Sequence, residues 1–135
     1  MVLKDVLEWL KTLSDDFENF YIGFLDSKKD KSLGVYNLKK ETKQIIALGG
    51  LNNSSYNVKL VSLLIHWTKD INEAEEVSFR LYDAIQKNIP NKIGNLDVNF
   101  IEMLNNSPID VGRDENGVCE FVIELKINYK REKEE

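Results

Sequence analysis

Histidine and cysteine are almost missing from this 135-residue sequence, which has one of each, His66 and Cys119. One cysteine rules out an internal disulfide, and no cysteine cluster exists to hold zinc. A Ser-His-Asp or Cys-His pair would have to use His66, and no nucleophile-elbow motif accompanies it. Proline occurs twice, at Pro90 and Pro108, so there is no proline-rich linker. The glycines form no phosphate-cradling loop. No apolar run approaches the roughly 20 residues that span a bilayer. Lys4, Asp5 and Glu8 interrupt the apolar residues of the first eleven positions, where a signal peptide needs an unbroken apolar stretch. The expectation is a soluble chain made in the cytoplasm, for which the Asn53-Ser54-Ser55 sequon has no meaning. A basic excess is missing too. The net charge is -5, which argues against general nucleic-acid binding by counterion displacement.

What is present suffices for one ordinary domain. Hydrophobic residues make up 42% of the chain, enough for a core that needs no disulfide or metal. Leu3, Val6, Leu7, Leu10 and Leu13 recur at helical spacing, which predicts a helix from Val2 to Ser14. Phe20 to Asp26 and Leu33 to Leu38 read as strands around a polar turn, Lys28 to Lys31. Thr42 to Leu48 offers a third strand, and Gly49 to Ser55 is a loop by composition. Tyr56 to Trp67 puts apolar groups on both faces. That suits a central strand, with a bulge that switches face. Asn72 is then expected to cap a second helix running to about Asn88, with Glu75 as its capping-box partner and Pro90 ending it. Ala74, Val77, Leu81, Ala84 and Ile85 form its inner stripe.

The C-terminal third has the clearest pattern. Asn95 to Leu104 reads as a strand of mixed pattern. Asp114-Glu115-Asn116-Gly117 is a turn joining Ile109–Arg113 to a long strand. In that strand Cys119, Phe121, Ile123, Leu125, Ile127 and Tyr129 alternate with Glu120, Glu124, Lys126 and Asn128, and only Val122 breaks the polar phase. This is a half-buried antiparallel strand. The order of elements predicts an α+β fold, an antiparallel sheet with two main helices packed on one face. It forms a single domain over residues 1–130, with 131–135 a charged, frayed tail.

Chemistry-bearing residues are sparse. His66, between Ile65 and Trp67, reads as a packed or rim residue. Cys119, on the apolar phase of its strand, reads as a small hydrophobe. Asp110, Glu124 and Lys126 approximate the acidic-pair-plus-lysine pattern of metal-dependent nucleases. Glu120, Asn128 and Lys130 share the face of Glu124 and Lys126, however, so alternating charge on a solvated strand explains them. The Asp114 turn lacks EF-hand spacing, because the position five before Gly117 is Gly112. Neither a cofactor nor a metal is expected. Charge is uneven: Lys28, Lys29, Lys31, Lys39, Lys40 and Lys43 crowd one segment, and Asp70, Glu73, Glu75 and Glu76 crowd the start of the second helix. The lysine segment reads first as a solvated hairpin and second as a patch for an acidic partner.

The segment from Ser107 through Pro108, Ile109, Asp110, Val111, Gly112, Arg113, Asp114, Glu115, Asn116, Gly117 and Val118, continuing to Tyr129, resembles the C-terminal hairpin of phage minor capsid and tail-terminator proteins from Gram-positive hosts. Leu63-Leu64-Ile65-His66-Trp67-Thr68, followed by the helix from Asn72 to Lys87, is similar to the middle of the same proteins. The segment from Lys28 to Lys43 has no counterpart there. The resemblance implies a non-enzymatic tail-terminator or tail-completion protein. Such a protein forms a homo-oligomeric ring, usually a hexamer, on the last ring of the tail tube and faces the neck or head connector. It works in the host cytoplasm during assembly and then in the virion tail, without a membrane or a specific nucleic acid. Candidate subunit-interface residues are Lys28, Lys29, Lys31, Glu73, Glu76, Arg113, Asp114 and Glu115. A head-closure or stopper protein is the alternative, and a small metal-dependent nuclease is the alternative from another class.

Overall fold

The computed structural model describes residues 1–39 and 56–130. The expected strand Thr42 to Leu48, the loop Gly49 to Ser55, the charged tail 131–135, and Lys40 and Lys43 lie outside the described residues. The elements run α1 (Leu3–Lys11), β1 (Asn19–Ile22), β2 (Ser32–Asn37), β3 (Tyr56–His66), α2 (Ile71–Lys87), β4 (Lys92–Ile93), β5 (Leu96–Met103), β6 (Ile109–Arg113) and β7 (Cys119–Lys130). The fold is α+β, as expected. Among the described residues, seven strands form one curled sheet in the order β1-β2-β3-β7-β5-β4, with β6 also paired to β7.

The alternation in β7 sets the core. Phe121, Ile123, Leu125 and Ile127 are buried on one face, with Cys119 and Tyr129 at the ends. Register carries that phase across the sheet: Ile65 lies opposite Phe121, Leu63 opposite Ile123 and Val61 opposite Leu125. Leu33 and Val35 of β2 extend the row. Both helices cover this face. Val6, Leu7, Trp9 and Leu10 of α1 and Ala74, Val77, Leu81 and Ile85 of α2 join the same cluster. Each large side chain there contributes about 1.5–3 kcal/mol by leaving water, as an upper bound.

Four expectations about local structure are corrected. First, the sheet is mixed, because β1 runs parallel to β2. Residues 23–31 are therefore not a hairpin. A parallel partner must start at the same end, so the chain returns until the Lys31 carbonyl accepts from the Glu18 amide at 2.8 Å. Lys31 makes this return with φ +54°, a left-handed conformation unusual for a residue with a Cβ. Second, β3 pairs with β7 through eleven consecutive positions with no bulge. The apolar residues on its other face, Leu60 and Leu64, are only half-buried. Next to Leu64 on this face is Gly34 of β2, over which Leu25 and Tyr36 lie so closely that a Cβ there would come within 2.8 Å of the Tyr36 ring.

Third, α1 stops at Lys11 rather than Ser14. The Thr12 hydroxyl donates to the Trp9 carbonyl at 2.6 Å. The Thr12 and Leu13 amides bond three residues back, which tightens and ends the last turn. Fourth, the cap of α2 is Asp70, not Asn72. The Asp70 Oδ1 accepts from the Asn72 and Glu73 amides at 3.0 and 3.2 Å. Of these two chemically similar residues, the one in extended backbone, with φ -84° and ψ 104°, takes the role. Asp70→Ala is expected to destabilise the fold by about 1 kcal/mol. Asn72→Ala should change it by less than about 0.5 kcal/mol. Urea titrations of the two variants check the assignment.

Candidate assembly surface

One end of the domain gathers Lys31, Glu73, Arg113 and Asp114. Three chain segments meet there: the crossover 24–31, the β3-to-α2 link 67–70, and the β6–β7 turn 114–117. Trp67 is the hub. Its ring stacks edge-on against Phe17 with centroids 5.7 Å apart. Its Nε1 donates to Glu73 Oε1 at 3.1 Å. Its carbonyl accepts from the Lys31 amide at 2.9 Å, and Lys31 Nζ lies 5.6 Å from the ring centroid. The lysine-bearing crossover and the acidic start of α2 are thus neighbours within one subunit.

The turn is built by Asp114. Its Oδ1 accepts from the Asn116 and Val118 amides, both at 2.9 Å. Gly117 takes φ +84°, the positive value expected for the Asn-Gly pair, while Asn116 does not. The Val118 amide is the main reason the Asp114 carboxyl sits below its ordinary pKa. Partial burial pulls the other way, and the Asn116 amide, His66 and the Gly117 amide add to the lowering. The carboxylate's support of the turn is therefore complete above the usual aspartate range and is lost as pH falls through the depressed value. Arg113 Nη1 ties the turn to the helix link, donating to the Lys69 and Gly117 carbonyls at 3.0 and 2.8 Å.

The eight candidate interface residues thus divide. Lys31, Glu73, Arg113 and Asp114 make side-chain contacts within the chain, Glu73 and Arg113 while remaining exposed. Lys28, Lys29, Glu76 and Glu115 are exposed.

His66 is fully buried on the sheet face away from the helices. Ser32 of β2 and Glu120 of β7 lie opposite it. Its Nδ1 is 3.0 Å from Glu120 Oε2. Its Nε2 is 3.1 Å from the Ser27 carbonyl and 3.8 Å from Asp114 Oδ2. The sequence does not reveal this cluster. Its members come from four separate segments, and only the β3–β7 register, joining positions 54 apart, brings His66 to Glu120.

The nuclease-like trio is used otherwise. Glu124 accepts from Asn105 Nδ2 at 3.0 Å, Lys126 pairs with Glu102 at 3.3 Å, and Asp110 accepts from the Gly112 amide at 2.9 Å. Among the described residues, no three histidine, cysteine or acidic side chains form a group that could hold a metal ion. No helix among them is long and apolar enough to cross a membrane. A groove of about 310 Å³ lies between α2 and β5, lined by Tyr82, Ile85, Ile89, Ile101 and Met103.

Among the described residues the sheet runs from β1 at one side to β4, beyond β5, at the other, and the two sides differ. Along β1, Ile22 and Phe24 are exposed, Phe24 by 62%, with the Tyr21 and Phe24 rings 5.2 Å apart. At the other side β5 and β6 expose Phe100 and Val111. Both of these strands carry a register shift where they pair with β7. Bulges of this kind interrupt an edge and limit indiscriminate strand pairing.

The described residues form an α+β domain in which polar side chains from separate segments tie the chain to itself at this end. The chain matches the model of the bacteriophage tail terminator protein family over residues 3–131, and it belongs to that family. The family is a structural one of the phage tail. No curated protein matches the chain.

Proposed function

We propose that this chain forms a closed ring, of six copies, that caps the end of the phage tail tube and joins it to the neck. The family match over residues 3–131 carries the reading. The two unlike sides of the described sheet support it, because a ring needs head-to-tail contacts between different surfaces of the same subunit. Its partners are further copies of itself, the tail tube protein and the head connector. It assembles in the host cytoplasm and ends in the virion tail. No catalysis is involved and no cofactor is needed. Metal-dependent DNA cleavage by the purified chain, lost in Glu124→Gln, would count against that.

Lys28 and Lys29 are exposed cations of the crossover, and Glu76 and Glu115 are exposed acids. We place them across the contact between neighbours. Reversing Lys28 and Lys29 to Glu should reduce ring caps on tubes by about tenfold. Circular dichroism of the subunit should stay unchanged. Capping should also weaken as salt rises, since exposed pairs are screened beyond about 8–10 Å near physiological ionic strength. The test adds purified chain to tubes assembled without it and images the ends. Deleting the gene should give tails of uncontrolled length. Normal tails that join heads in the deletion strain would overturn the reading.

A further inference from the structure

We infer that His66 is held as an imidazolium and acts as a proton-operated latch, fixing the crossover 24–31 and the β6–β7 turn to the sheet. Both ring nitrogens face acceptors: the Glu120 carboxylate at 3.0 Å and the Ser27 carbonyl at 3.1 Å. A neutral imidazole has one N–H and satisfies one of them. Only the doubly protonated ring donates to both. A third acceptor adds to this. Asp114 Oδ2 is buried, has no hydrogen-bond partner among the described residues, and lies 3.8 Å from Nε2. With a neutral ring, two carboxylates would face a buried site with no cation between them. Buried charge of that kind is costly unless it is paired.

Ionisable groups reach this site from β7, the β6–β7 turn and β2. From β7 comes Glu120, and from the β6–β7 turn comes Asp114. From β2 comes Tyr36, whose phenol is pushed up by burial and by the Glu120 charge. Ser32, opposite His66 on β2, does not titrate and donates its hydroxyl to the Lys29 carbonyl at 2.6 Å. Through Ser27 the latch holds the segment that carries Lys28 and Lys29. The proton keeps that loop docked. A ring that gives up this proton loses one donor, and the loop is released.

The test uses the full chain in solution as free subunits, so it succeeds or fails apart from ring formation. Nitrogen NMR of the single histidine, from about pH 5 to about pH 9, reads its ring directly. Hydrogen exchange reads the Lys29 and Lys31 amides, which bond to the Asp26 and Trp67 carbonyls. We expect two protonated ring nitrogens at the acid end. Across the titration the protection factors of those two amides should fall about ten- to a hundredfold, the range for one charge-assisted hydrogen bond. Amides at the centres of β3 and β7 should hold. Glu120→Gln keeps the shape, removes a counter-charge and should release the loop at lower pH. One bare ring nitrogen throughout, with the proton on Glu120 or absent, would overturn the inference. So would loop protection that ignores the titration.

Discussion

Trp67→Ala is expected to lower the unfolding free energy by about 3–5 kcal/mol, the range for removing a large buried aromatic. The ring is 3% exposed and joins two parts of the chain that have no covalent reason to meet. On one side it packs edge-on against Phe17, ahead of β1. On the other it donates to Glu73 in the first turn of α2. Its removal leaves a cavity beneath the crossover and strips Lys31 of the ring it lies over. Trp67→Phe separates the contributions. It keeps most of the volume and loses only the N–H, so it should cost about 1–2 kcal/mol. Urea denaturation followed by circular dichroism checks both. A Trp67→Ala cost below about 1 kcal/mol would mean that Trp67 is not the hub described.

Ile123→Ala should cost about 2–5 kcal/mol. Ile123 is 1% exposed, at the middle of β7 and opposite Leu63 on β3. β3 flanks it on one side, the junction between the β5 and β6 pairings lies on the other, and the helices cover this face, so the site has little room to collapse. Val122→Ala, one residue earlier on the half-covered face, should cost clearly less. Reversal of that order would place the wrong face of β7 against the helices. With two-state unfolding, the midpoint should move while the denaturant slope stays constant.

The contrast between Ile123 and Val122 also shows why β7 is legible in the amino-acid sequence. A period of two is a local property, and burying one face requires only that some partner cover it. The α2 stripe is legible for the same reason at helical period: Ala74, Val77, Leu81 and Ile85 all reach the core, and Ala84 lies at its margin. The family resemblance rests on these same segments. Cap identity is less legible. Asp70 and Asn72 are chemically alike, and backbone angles set by the preceding strand decide between them.

Two amphipathic helices, a long one-sided C-terminal strand and a tight turn at residues 114–117 can be read from the order of the amino acids alone. Each of these follows from side chains near one another along the chain. Only the tertiary structure decided that β1 runs parallel to β2, that the lysine crossover sits beside the acidic start of α2, and that His66 lies among Ser27, Asp114 and Glu120. The physical reason is range. A strand's direction relative to its neighbour leaves no mark in its own alternation. A buried histidine's partners are chosen by register between strands, here joining positions 54 residues apart, and nothing local in the sequence records that register.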